Sequence, residues 1–132
     1  MSTQATGTFA IKTWDGQAYH ESDDGAKMTS AHVSYLYHGD IEGESIMEYL
    51  MSYHPDGTGM YVGLERIAGR IGERAGSLVL QHIGTFASDG ITGTYTVVPE
   101  SGAGEWRGIQ GAGTLSVSGA GPYPFTLDYD FA

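Results

Sequence analysis

Glu65 and His82 are the residues of this chain whose chemistry stands out. Each interrupts an otherwise apolar alternation in the stretch from Gly59 to Phe86, GMYVGLERIAGRIGERAGSLVLQHIGTF. A carboxyl group and an imidazole held side by side can exchange a proton near neutral pH, because histidine titrates there and a glutamate can be tuned towards it. Burying the carboxyl is costly unless it is paired. The two residues therefore read either as a general acid/base unit or as a satisfied internal pair that sets strand register. Adding His32 gives the two-histidine, one-carboxylate set that suits Fe(II) or zinc. The three lack the close spacing of a metal motif, so no metal and no other cofactor is assigned. His20, His38 and His54 fall at loops or turns and are expected to face solvent.

Strands must position this pair. Glycines number 21, spread along the chain, and with nine tyrosines and many Val, Ile and Thr they indicate strands broken by frequent turns. No window sustains a 3.6-residue stripe. The expected strands are residues 7–14, 27–38, 41–54, 60–71, 77–87, 91–99, 114–118 and 123–131, with a polar loop over 15–25. A wide glycine-rich loop carries a short strand near Trp106. The connections between the second and sixth strands are short enough for antiparallel hairpins. Eight strands in a meander leave two bare edges and one apolar face unless the sheet closes, so the fold expected is all-β: one antiparallel eight-stranded meander barrel spanning residues 1–132 as a single domain. Such a barrel is filled by side chains or holds one small ligand.

Turn chemistry suggests which residues share the interior. A two-residue loop at Gly39-Asp40 sets His32 opposite Met47, a type I turn with a glycine bulge at Pro55-Asp56-Gly57 sets Met47 opposite Glu65, and a turn at Glu73-Arg74 sets Glu65 opposite His82. His32, Met47, Glu65 and His82 then form one row. Tyr49, Tyr53 and Phe86 point inward with them and shape a pocket. Val33, Tyr35 and Tyr37 fall on the outer face of the second strand, an apolar surface that suggests a homo-oligomeric contact.

Composition excludes several classes. The 16 acidic residues outnumber the six basic ones, giving a formal charge of −10, which repels nucleic acid and anionic membranes. No segment has the roughly 18 apolar residues of a membrane span, no leader pattern opens the chain, and there is no cysteine for disulfides or thiolate catalysis. A cytoplasmic protein is expected. The glycines of GAGEWRGIQGAG open no helix and lack the lysine of a P-loop, which argues against nucleotide binding.

The segments GDIEGES, EYLMSY, YVGLERIAGRIGERAGSLVLQHIGTF, TVVPESGAGEWRGIQGAG and FTLDYDF, in this order over nearly the whole chain, resemble the domain-of-unknown-function family DUF3224. The resemblance implies a fold similar to allene oxide cyclase, an eight-stranded meander barrel with a mostly hydrophobic cavity. Matching positions are Glu65 and Arg66, Gly76 and Ser77, and Gln81 and His82; Glu100 departs from a pattern that more often has Gly. Gln81 joins the candidate binding residues on this ground, although the register above turns it away from His82.

Two functions follow as expectations. One is a cofactor-free isomerase, cyclase or lyase acting on a small, largely apolar molecule through Glu65 and His82. The other is a non-catalytic carrier or sensor of a hydrophobic metabolite, for which an interior of tyrosine and methionine offers an adaptable surface.

Overall fold

The computed structural model describes residues 3–119 and 121–132. Its strands are β1 (Thr3–Glu21), β2 (Lys27–Gly39), β3 (Ile41–Tyr53), β4 (Gly59–Ile71), β5 (Arg74–Ala87), β6 (Gly90–Val97), β7 (Ala103–Gly104), β8 (Ile109–Val117) and β9 (Tyr123–Phe131). All neighbours pair antiparallel, β4 closes on β5 and β1 on β9, so eight strands form a meander barrel. The two-residue β7 attaches to Gly76 and Ser77 of β5 outside the ring. No helix among the described residues is long and apolar enough to cross a membrane.

The two ends of the barrel differ. At one end the connection from β6 to β8 folds back, and Trp106 lies fully buried against Gly76 with its indole N–H donating to the Arg74 carbonyl at 2.8 Å. Ile67, Leu78, Leu80 and Leu127 fill the interior beneath it. The opposite end is ringed by the loops after β1, β3, β5 and β8, and there the interior is aromatic.

The first strand is longer than its composition suggests. The polar run from Asp15 pairs with β2 as far as Glu21 instead of forming a loop, because pairing satisfies its backbone while its side chains face water. A bulge falls between Ile11 and Thr13. It leaves Lys12 with no residue opposite it on β2 and re-aims the strand, so that Phe9, Ile11 and Trp14 all reach the open end. Strand β8 also starts earlier than expected, at Ile109. Glu100 has φ 66 and is the only non-glycine with positive φ among the described residues. That is a conformation glycine adopts without steric cost.

The face of β2 is the reverse of the expectation. Tyr37 pairs with Gly43, and His32 pairs with Glu48, one residue away from the predicted partner Met47. Gly39 continues β2 by pairing with Gly7, and Asp40 is held to β1 by a hydrogen bond from the Thr6 amide at 2.8 Å, so these two residues do not make a two-residue turn. A one-residue slip exchanges the faces of a strand. Val33, Tyr35 and Tyr37 are consequently buried, which removes the apolar face on which an oligomeric contact was expected. Exposed apolar side chains occur instead on several strands: Ile46, Leu50, Val62, Leu64 and Ile83 on β3, β4 and β5, and Ile11, Trp14, Tyr19, Met28 and Ile91 on β1, β2 and β6.

The other two registers keep their faces. Met47 stands opposite Glu65, as the turn at Pro55-Asp56-Gly57 implies, and the His54 amide donates to the Thr58 carbonyl at 2.7 Å. The β4–β5 turn is Gly72-Glu73 rather than Glu73-Arg74, with Gly72 at φ 59, the positive angle a type II′ turn requires at its first position. This slides the pairing by two residues. Glu65 stands opposite Leu80, and His82 opposite Gly63, but both still face inward.

Candidate functional site

Glu65 and His82 meet inside the barrel. Because Gly63 places no side chain opposite His82, the imidazole is free to reach diagonally towards Glu65, and Nε2 lies 2.8 Å from Oε1. The other carboxyl oxygen accepts from the Tyr37 hydroxyl at 2.6 Å and the Ser45 hydroxyl at 2.5 Å. Three donors thus converge on a residue that is 1% exposed, and its cost of burial is offset by a complete shell. Tyr95 supports the histidine from the other side, with ring centroids 5.3 Å apart, and itself stacks on Phe125 while donating to the Thr126 carbonyl.

The cavity lies closer to the open end, and neither Glu65 nor His82 is in its wall. It has a volume of about 330 Å³, at the lower end of the range for small-molecule sites. Tyr49, Tyr53 and Phe86 line it, together with Met51, Tyr61 and Tyr35 on the β2–β4 side and Phe9, Trp14, Leu115 and Tyr123 on the other. No charged residue is among its lining residues. Tyr35 and Tyr49 share a hydroxyl–hydroxyl hydrogen bond at 2.6 Å, and Tyr49 makes an edge contact with Tyr61 at 5.7 Å. Trp14, half exposed, packs over Tyr49 at 5.8 Å and reaches solvent.

Tyr61 occupies a notch made by two paired glycines. A Cβ at Gly84 or Gly93 would approach the Tyr61 hydroxyl to 2.5 Å or 2.3 Å, so only glycine leaves room for the ring at both positions. Its hydroxyl is buried and has no hydrogen-bond partner among the described residues, as is the Thr29 hydroxyl in the same cross-strand row. Native interiors rarely leave such groups unpaired without reason.

Burial pushes the hydroxyls of the interior tyrosines upward. Tyr37 lies well above its ordinary range, first through burial and then through the Glu65 carboxyl beside it. Burial likewise raises Tyr35, Tyr49, Tyr61 and Tyr95, against the opposing hydrogen bonds to Tyr49 for Tyr35 and to Thr126 for Tyr95. All five are neutral hydrogen-bonding groups across the physiological range.

Of the residues singled out from sequence, Glu65, His82 and Met47 are brought together, and Tyr49, Tyr53 and Phe86 line the cavity. His32 is not a cavity residue. The reversed face of β2 turns it outward, where its ring pairs with Glu48, and this separates it from Glu65 and His82 as a metal set. Gln81 also points outward and is exposed, because strand alternation puts it on the face opposite His82. Tyr37 and Ser45, donors to Glu65, and Tyr35, Tyr61 and Trp14 in the cavity were missed as site residues. The available signal was the alternation Ala31, Val33, Tyr35, Tyr37 on β2, more apolar than the alternative face.

Residues 5–129 match the profile of the family described as "Protein of unknown function (DUF3224)". Among solved structures, the chain is similar to a protein of unknown function from that family from Shewanella oneidensis MR-1, determined by crystallography at 1.84 Å resolution. The two are 28% identical, the match covers 100% of this chain and 99% of the other, and the TM-score is 0.82. No curated protein matches the sequence significantly.

Proposed function

The chain belongs to the DUF3224 family, a family whose description names no activity, and on the geometry of its barrel we propose that it binds a small, largely apolar molecule in the aromatic cavity at the open end. The observation that carries the proposal is the cavity itself: about 330 Å³, lined by eight aromatic side chains with no charged residue in the wall, and separate from the packed pair behind it. Apolar pockets with a few polar groups are the usual form of small-molecule sites. A carrier or sensor needs nothing further. Trp14 at the mouth makes binding observable, since the other tryptophan, Trp106, is buried at the far end.

Titration with an uncharged aromatic such as naphthol is expected to quench Trp14 saturably, at one molecule per chain by calorimetry. Leu115→Trp, which fills the cavity from β8, is expected to abolish the calorimetric signal while the barrel stays folded. Absence of saturable binding, or binding unchanged in the filled variant, sinks the proposal.

The contact between Glu65 and His82 favours a second reading: a cofactor-free isomerase, cyclase or lyase in which the pair moves a proton. The likeness to allene oxide cyclase inferred from the sequence motivates the reaction class, by analogy of fold alone. Catalysis on this plan requires the substrate to displace Tyr37 or Ser45 from Glu65, or to reach the other nitrogen of His82. If a substrate is converted, Glu65→Gln should lower kcat at least about a hundredfold, the usual worth of a general acid/base; turnover unchanged in that variant excludes the pair from the chemistry.

A further inference from the structure

We infer that the outer face of β3, β4 and β5 is the contact through which two copies of this chain pair side by side, leaving both cavity mouths open. Leu50, Val62 and Ile83 stand opposite one another on these adjacent strands, and Met60 and Leu64 flank Val62 along β4. Cross-strand neighbours of this kind touch. Together with Ile46 they are 37–56% exposed, so an apolar patch centred on Val62 is open to solvent. Patches of this kind on a soluble protein mark contact sites. The competing route is strand pairing at β1, which beyond Phe9 has no neighbour on its β9 side. Two bulges, between Ile11 and Thr13 and between Ala18 and His20, interrupt that edge.

Charge selects the partner. On and beside this face Glu42, Glu44 and Glu48 are matched by Lys12, which reaches over β2 to Glu44 at 3.2 Å, and by Arg66 and Arg70. These formal charges cancel, so the −10 of the chain is carried by the rest of the molecule. Two copies approaching through their other surfaces repel one another over about a Debye length. Through this face they do not. A basic partner would be drawn to the acidic surfaces instead, and an anionic membrane finds no surplus of lysine or arginine here.

Shape agrees with a twofold contact. The row Leu50, Val62 and Ile83 is a ridge, and beside it a groove of about 500 Å³ runs between that row and Glu48, Leu64 and Gln81. A ridge next to a groove is self-complementary about a twofold axis along their boundary, because each copy's ridge then enters the other's groove. Val62 lies beside that axis and meets its own counterpart. Ser52, Thr85, Thr94 and Arg66 supply the polar border usual around an apolar contact. The strand spacing from β2 to β6 and the rise from Met60 to Arg66 give a footprint of roughly 20 Å by 20 Å. That suits the small end of protein–protein contacts.

Sedimentation equilibrium on the full chain at neutral pH tests this, at concentrations up to about 1 mM, where contacts of this size form. The mass is expected to rise to twice the 14.0 kDa of one chain. Added salt should strengthen the association, since it screens the acidic remainder and leaves apolar contact intact. Val62→Glu and Val62→Lys should each weaken it at least about tenfold, and Ile83→Glu, one strand away, should weaken it as well. An equimolar mixture of the two Val62 variants should associate more tightly than either alone, because unlike charges then meet beside the axis. Circular dichroism checks that each variant keeps its strand signal. A chain that stays monomeric throughout overturns the inference and leaves the face to a different partner. Association weakened by salt, or unchanged in the Val62 and Ile83 variants, places the contact elsewhere and overturns it too. A mixture no tighter than its components overturns the twofold arrangement.

Discussion

Replacing His82 by leucine is expected to destabilise the barrel by about 3–5 kcal/mol, the cost of breaking a buried ion or hydrogen-bonded pair by removing one partner. The carboxyl group of Glu65 is 1% exposed, and without the imidazole one of its oxygens would be buried with no donor and, when ionised, with no countercharge. Glu65→Gln should be much milder, about 1 kcal/mol. The glutamine oxygen can still accept from Tyr37 and Ser45, and its amide can donate to a neutral imidazole. Replacing both Glu65 and His82 by leucine should cost less than the sum of the two single leucine changes, by about 0.5–3 kcal/mol, because the two side chains share one network. Urea denaturation of the four variants measures all of these differences. A His82→Leu protein within about 1 kcal/mol of the parent, well under the buried-pair value, would mean that the pair does not hold the barrel together. Stability and turnover are separate readouts, so this series distinguishes a structural pair from a catalytic one.

Alkaline unfolding is expected to be steep. Five interior tyrosines, Tyr35, Tyr37, Tyr49, Tyr61 and Tyr95, have hydroxyl pKa values raised by burial. An acid whose folded-state pKa lies above its unfolded value contributes stability that is fully present below the unfolded pKa and is lost as pH rises through the folded one. The unfolded value for tyrosine is about 10. Stability is therefore level with respect to these groups up to that pH and then falls, by as much as about 1.4 kcal/mol per pH unit for each tyrosine that stays protonated in the barrel. With five such groups, an ordinary stability of about 5–15 kcal/mol is exhausted within about two or three pH units. The absorbance of these tyrosinates should appear together with loss of the strand signal in circular dichroism, as one cooperative step. Ionisation of all five near pH 10 with the barrel intact, as for free tyrosine, would contradict their burial. Tyr37 is the sharpest single test, since deprotonating it would set a phenolate against Glu65 at hydrogen-bond distance.

The candidate site was legible in the sequence where side-chain alternation alone decided it. Glu65 and His82 could be placed inside because a two-residue error in the β4–β5 turn leaves each strand with the same face inward. His32 was misplaced because the β2–β3 register was read from Gly39-Asp40 as a hairpin, and an odd error reverses the face. The residues that misled are tied to a third strand: Gly39 pairs with Gly7, and Asp40 binds the Thr6 amide. A local turn rule has no access to that contact. The apolar side of β2 was the better guide, since burying Val33, Tyr35 and Tyr37 outweighs a turn preference.

The sequence by itself determined an antiparallel all-β chain, its single closed barrel, and the inward direction of Glu65 and His82, because alternation and turn spacing are local properties of successive residues. Only the tertiary structure decided that the pair is enclosed by Tyr37 and Ser45 while the open volume lies elsewhere, among Trp14, Tyr49, Tyr53 and Tyr61. Trp14 reaches that volume through a bulge in β1, and Tyr61 through a notch formed by glycines on two other strands. Both depend on how side chains from distant strands meet across a closed interior. That is a property of barrel closure and packing, on which the spacing of residues along one strand is silent.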